Sequence, residues 1–537
     1  MPRLIAYWCA LLAAFMPAAA RANWLQAETP HFRLYSNGGE SSLRRFATMV
    51  ENYDRVLRIM TNTTAPASPV KLDVYLLRSG SDLRKVRSMG SNVAGFYSAT
   101  PGYIAAFAVR VDKLGLDGDE VLFHEYAHHF MMQYHPAAYP AWYVEGFAEF
   151  MMTATVTDKK IEVGGFNQSR AYGLVALPWL PIQKVLEGDL SGLSSDEAAM
   201  FYSQSWLIVH WAFSEQGRSQ AMLRYLKAIS QGEDGRTAFE REMGMDYEAF
   251  ARQLKKYVSA GRIRYIRFSP PDHAEVPVEI RQLSAGADDL LLPRAALLLG
   301  MSDKRGAATL PAIRGEAARY PDDTFAKWTL AAYEMDFGDT RAGNAMADAL
   351  IAGGMNDAET LFLRGYGDLV LARKADHPEE KRRLYGAARL WFAKAFRADE
   401  NYFPALWAYV ETRSMDPMDE NTLSVLLRAQ QLAPQVAWLR FQAAVALMRN
   451  KEFASAAALL GPLAADPHGG RGAEHARKLL NKARSGEFAE ADLGWNMKAD
   501  AEADEGEDDA SPSDDAGKAK GGGPGWNRPL KAWPVSC

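Results

Sequence analysis

The chain has 537 residues, 48% of them hydrophobic and 24% charged, with a formal net charge of −5. That length predicts two or three domains with ample material for a core, and the composition is that of a folded globular protein. No dense basic stripe interrupts it, which argues against nucleic acid as a partner, and two cysteines are too few for a zinc site built from four thiolates.

Residues 1–22 read as a secretory signal. Arg3 supplies a positive charge, Leu4 to Met16 is an apolar run, and Ala20-Arg21-Ala22 is a cleavage site before Asn23. The run is about 13 residues, short of the ~20 that a membrane-spanning helix needs. No other run is long enough, so no transmembrane segment is expected after signal cleavage. Cys9 leaves with the signal and Cys537 is the last residue, so the mature chain forms no internal disulfide. Export without a disulfide framework predicts a bacterial periplasmic or secreted protein.

Over 23–268 strand and helix signals mix. His31 to Ser36 alternates into a turn at Asn37-Gly38-Gly39, and Ser41 to Met60 is an amphipathic helix. Val70 to Leu77 reads as a strand. Phe96-Tyr97 and Tyr103 to Val111, split by Pro101-Gly102, read as a hairpin, with Tyr103 to Val111 the edge offered to an extended peptide. A helix containing His124 follows, with Asp117 and Asp119 as start residues, then one from near Pro140. Ser203 to Ala212, Gln220 to Ile229 and Tyr247 to Val258 are further helices. Strands first and helices after predict an α+β domain.

Residues 269–290, with Ser269-Pro270-Pro271-Asp272, read as a linker. Residues 291–485 are helical, with helix-ending positions recurring at roughly 34 residues: Ala395 to Glu400 aligns with Ala429 to Pro434. Helix pairs of this period resemble tetratricopeptide repeats, which stack into a surface that binds a peptide or protein partner. Residues 486–537 are acidic and glycine-rich and predict a disordered tail.

The chemistry gathers at His124-Glu125-Tyr126-Ala127-His128. Residues i and i+4 of a helix project from one face, about 5–6 Å apart at Cβ, so two imidazoles can share one zinc. Glu125 lies roughly 100° around the helix, bordering the ion without having to ligate it. A catalytic zinc takes three protein ligands, and Glu145 and Glu149, again i and i+4, are the candidates for the third. Two acids in an otherwise apolar helix need a reason to face inward, and a metal provides one.

His124-Glu125-x-x-His128 followed by Trp142-Tyr143-Val144-Glu145-Gly146-Phe147-Ala148-Glu149 resembles the gluzincin metallopeptidases, particularly the peptidase MA-like families and the aminopeptidase pattern W-x-x-E-G-F/L-A. The interval from His128 to Glu145 is slightly shorter than in the aminopeptidases. The resemblance implies a zincin-like domain holding one zinc per chain through His124, His128 and Glu145. It implies that Glu149 hydrogen-bonds a zinc histidine from outside and that Glu125 is the general base for hydrolysing peptide bonds with zinc-activated water. An oxyanion donor is expected from Tyr202, with His210 as second candidate; His129 and His135 are expected to be structural. No residues for capturing a free peptide amine stand out, which favours an endopeptidase. The competing reading is an interaction scaffold in which the repeats act and the zincin domain is inactive; the intact Glu125 argues against it. A zinc hydrolase acting on another bond would carry the same motif.

Overall fold

The computed structural model describes residues 24–89, 93–110, 118–157, 160–165, 168–188, 190, 192–261, 265–268 and 276–493. The expected signal at 1–22, Asp117 and the tail beyond 493 lie outside the described residues.

β1 (Leu25–Glu28) and β2 (Phe32–Ser36) pair antiparallel. Helix α1 (Glu40–Thr61) then carries the chain across to β3 (Leu72–Leu77), which runs parallel to β2. After α2 (Gly80–Val86), β4 (Gly95–Ala99) and β5 (Ile104–Val109) form the predicted hairpin, and β5 lies parallel to β3. Two helices follow, α3 (Gly118–Tyr134) and α4 (Ala141–Met151), and then β6 (Thr155–Val156) and β7 (Ile161–Val163). Next come α5 (Gln168–Ala176), α6 (Ile182–Glu187), α7 (Ser195–Phe213), α8 (Gln216–Ser230), α9 (Gly235–Met243) and α10 (Tyr247–Ser259). β8 (Ile266–Phe268) joins β7 in a small second sheet, and β9 (Glu279–Gln282) pairs with β1.

The main sheet has the order β4-β5-β3-β2-β1-β9. Alternation along its strands divides the side chains between two cores. Phe32, Leu34, Leu72, Val74, Leu76, Ile104 and Ala106 face one way, onto α1 and α3. Tyr35, Tyr75, Leu77, Phe107 and Val109 face the other way, onto α2 and α11 (Ala287–Leu298).

Two expectations are corrected here. Tyr103 to Val111 is not the sheet's edge: β5 lies inside, between β4 and β3, and β4 is the outer strand. The stretch read as a linker, 269–290, contributes strand β9 to the sheet, and its last residues begin α11.

From α12 onward the described chain is almost wholly helical and folds as successive pairs. These are α12 (Asp303–Ala318) with α13 (Thr324–Phe337), α14 (Thr340–Ala352) with α15 (Ala358–Lys374), α16 (Pro378–Ala398) with α17 (Phe403–Glu411), α18 (Glu420–Leu432) with α19 (Ala437–Arg449), and α20 (Phe453–Ala464) with α21 (Gly470–Ser485). The first helices of the pairs end at Ala318, Ala352, Ala398, Leu432 and Ala464, which is where the recurrence of roughly 34 residues falls. Helix α16, 21 residues long, breaks that period. Residues 486–493, placed in the tail by composition, pack against the last pair: Leu493 is buried and Lys482 holds Asp492 at 2.8 Å.

The repeats are not a separate body. Phe403, Trp407, Trp438 and Leu439 belong to the same apolar core as α3 and α4. No described helix is long and apolar enough to cross a membrane.

Candidate metal centre

Nothing in 119–134 breaks a helix: there is no glycine or proline until Pro136. One side of α3 is apolar, and Leu122, Phe123, Tyr126, Ala127 and Phe130 are buried. The Tyr53 ring of α1 stacks on Phe123 at 4.0 Å, and its hydroxyl donates to the Phe123 carbonyl at 2.9 Å. The Tyr126 hydroxyl donates to Asp54, which also accepts from Arg58 at 2.6 Å. With one side fixed this way, His124, Glu125 and His128 are left on the other.

Helix α4 starts after Pro140 and is buried along almost its whole length, including Glu145 and Glu149. It crosses α7 at Gly146, and the approach is so close that a β-carbon there would lie 2.4 Å from the Ser205 carbonyl oxygen. The glycine of the Glu145-Gly146 pair therefore sets the depth of α4, and with it the position of Glu145.

His124, His128 and Glu145 come together, each offering a ligand atom within 4.8 Å of the others. The two Nε2 atoms are 3.1 Å apart. His124 Nε2 is 3.6 Å from Glu145 Oε2, and His128 Nε2 is 3.7 Å from Oε1. Ligands about 2.1 Å from a tetrahedral zinc sit about 3.4 Å apart, so this donor set fits the ion. A second observation agrees: Glu145 Oε2 is buried and has no hydrogen-bond partner. An orphaned buried carboxylate oxygen is costly unless something binds it.

Charge in the cluster is tightly arranged. Burial alone would push the Glu145 carboxyl up, but His128, His468 and His124 hold it well below the usual carboxylate range. Burial drives His128 down to about 3, leaving the neutral imidazole that a metal requires. Burial opposes charge on His124 too, but the neighbouring Glu145 carboxylate and the charge of Glu149 outweigh it and raise its pKa. Glu125 is pushed up by burial and by Glu145, against the pull of His124.

Glu149 lies 3.5 Å from His124 Nδ1, on the side of the ring away from the cluster. Arg170 of α5 grips it through two donors at 2.6 Å each, and the guanidinium stacks over the Tyr202 ring at 5.1 Å. Arg170→Met should therefore strand a buried carboxylate and cost about 3 kcal/mol. Urea denaturation of the two proteins checks this, and equal midpoints would show that the pair contributes nothing.

Tyr202 is close enough that burial together with Glu145 and Glu149 raises its phenol pKa. It is not among the residues that line the cleft in front of the cluster. His210 is corrected as an oxyanion candidate: it is buried, its Nε2 bonds the Gly164 carbonyl at 3.0 Å, and its Nδ1 meets the Tyr257 hydroxyl at 2.9 Å. His129 bonds Tyr97 and Gln435, and His135 bonds Thr63, so both have structural partners.

The cleft holds about 200 Å³ and is walled from both halves of the chain. Tyr97, Ser98 and Ala99 of β4 line it with Glu125, His128 and Glu145, and from the repeats come Gln435, Pro462 and His468. The sequence reading missed His468. Its Nε2 lies 3.0 Å from Glu145 Oε1, and the pair raises its pKa to about 9 against the effect of burial. A histidine in a helix-to-helix turn, 323 positions from its partner, gives no signal in sequence. Arg170 and Gly146 were missed as well, although the glycine stands inside the motif.

No protein-family model matches the sequence, and no curated protein matches it. Among solved structures the chain is similar to a thermophilic TPR protein of Thermus thermophilus. The identity is 18% and the TM-score 0.31, over 37% of this chain and 99% of that one. That score is too low to carry an argument.

Proposed function

We propose that the chain is an exported zinc metallopeptidase that hydrolyses peptide or protein substrates. The observation that carries this reading is the meeting of His124, His128 and Glu145 around a buried, partnerless carboxylate oxygen, with Glu125 beside them on the same cleft. Zinc bound by those three residues would lower the pKa of a water and polarise a scissile carbonyl. Glu125 takes the proton from the attacking water on a carboxylate oxygen and hands it to the leaving amine. Burial and the Glu145 charge push its pKa up, which makes it a stronger base toward the water proton. Glu149, held by Arg170, keeps the His124 ring oriented.

The substrate class follows from the walls. β4 is the outer strand of the sheet and lines the cleft, so an extended peptide can lie alongside it. Tyr202 remains the proposed oxyanion donor, with its ring under the Arg170 guanidinium that grips Glu149. The repeats supply the facing wall and a surface for a protein partner. Export rests on residues 1–22.

Metal analysis of the purified mature protein is expected to find one zinc per chain. Chelation should stop cleavage of an unfolded protein such as casein, and zinc should restore it. A protein that binds no zinc and cleaves nothing would leave the interaction scaffold as the better reading.

A further inference from the structure

We propose that His468, carried by the turn between the last two repeat helices, is a positioning residue for Glu145, so that the repeat domain completes the metal centre. This deepens the zinc reading above and rests on it. The two oxygens of Glu145 stand in different situations. Oε1 accepts from His468 Nε2 at 3.0 Å, whereas Oε2 has no partner and lies 3.6 Å from His124 Nε2. Holding one oxygen from outside leaves the other aimed into the ligand cluster. The last torsion of a glutamate is broad, so a carboxylate held at neither oxygen would have to be ordered at the metal's expense.

His468 is itself outside the cluster of potential ligand atoms, which comprises His124, His128 and Glu145. Its turn is shaped to present the side chain. Asp466 accepts from the backbone N–H of His468 at 2.9 Å and, through its carbonyl, from that of Gly469 at 3.2 Å. Gly470, at φ 50°, then turns the chain into α21. The turn is placed by docking of the last pair, because Gly461 of α20 passes beside Ala138 in the connection between α3 and α4. Gln435, one pair earlier, ties the same region down through Gln133 at 2.7 Å. The orientation of the third ligand is thereby set from the far end of the chain.

The test measures zinc affinity of the full chain by competition with a chromophoric chelator. His468→Ala is expected to weaken zinc binding ~10- to 100-fold, the usual effect of removing a group that orients a ligand. His468→Gln, whose amide nitrogen can donate to the same Oε1, is expected to recover most of that loss. The metal-free protein is expected to melt lower in His468→Ala, which strands the buried Glu145 carboxylate, and close to the parent in His468→Gln. Equal affinity in His468→Ala and the parent overturns the positioning role and leaves the zinc reading intact. A loss that His468→Gln does not repair, with a metal-free melting temperature lowered in that variant as well, marks a merely structural residue and overturns it too. A parent protein that binds no zinc overturns both readings together.

Discussion

Glu125→Gln is expected to keep its zinc and lose at least about 100-fold in peptide hydrolysis, the lower bound for removing a general base. The separation follows from geometry. Glu125 is not one of the three clustered ligand atoms, yet it lines the same cleft as His128 and Glu145. Glutamine keeps the shape and can still hydrogen-bond a water, but it cannot accept a proton. His124→Ala removes a ligand and should lose zinc and activity together, so the two variants distinguish the base from the ligand set. Metal content and turnover are measured on the same preparations. A glutamine variant that cleaves as fast as the parent would sink the mechanism; one that loses its zinc would make Glu125 a ligand.

The second large effect is expected from a change that touches neither charge nor metal. In an ordinary helix, Gly→Ala stabilises by about 1 kcal/mol. At Gly146 the new methyl would meet the Ser205 carbonyl oxygen at 2.4 Å and its carbon at 2.7 Å, both of them backbone atoms of α7 that cannot swing aside. Overpacking of this kind costs about 3 kcal/mol, so strain outweighs propensity and Gly146→Ala should destabilise by about 2 kcal/mol. Relief requires α4 to back away from α7, and Glu145 and Glu149 travel with it. Zinc affinity should therefore fall along with the melting temperature. Thermal unfolding and chelator competition test the two effects, and an unchanged or raised melting temperature would show that the crossing can relax freely.

Much of the site's local scaffold was legible because it is periodic. The apolar stripe of α3 and the i, i+4 pairs His124/His128 and Glu145/Glu149 are local patterns, and local patterns survive in sequence. The helix predicted over Ser41 to Met60 is found as Glu40–Thr61 for the same reason. What failed was long-range. The hairpin of β4 and β5 could be read, but which strand lay outside could not be read from the turn. A usable signal was present: Ile104 to Val109 is apolar at every position, as suits a strand buried on both faces. Strand β9, four residues of mostly polar character beside prolines, looks like linker until β1 is placed next to it. His468, Gln435 and Arg170 are ordinary surface residue types until the fold brings them to α3 and α4.

Helix α11 makes the division between the two halves deceptive. It starts within the stretch that composition marks as a boundary, and Ala287, Leu291, Leu292 and Ala295 cover the face of the sheet formed by Tyr35, Tyr75 and Phe107. A chain cut at 268 would forfeit both β9 and this cover, leaving a broad aromatic surface open to water. The two halves are thus grafted into one another: the repeats cannot be exchanged as a cassette, and the width of the cleft is inherited from shared packing instead of being set by the length of a tether.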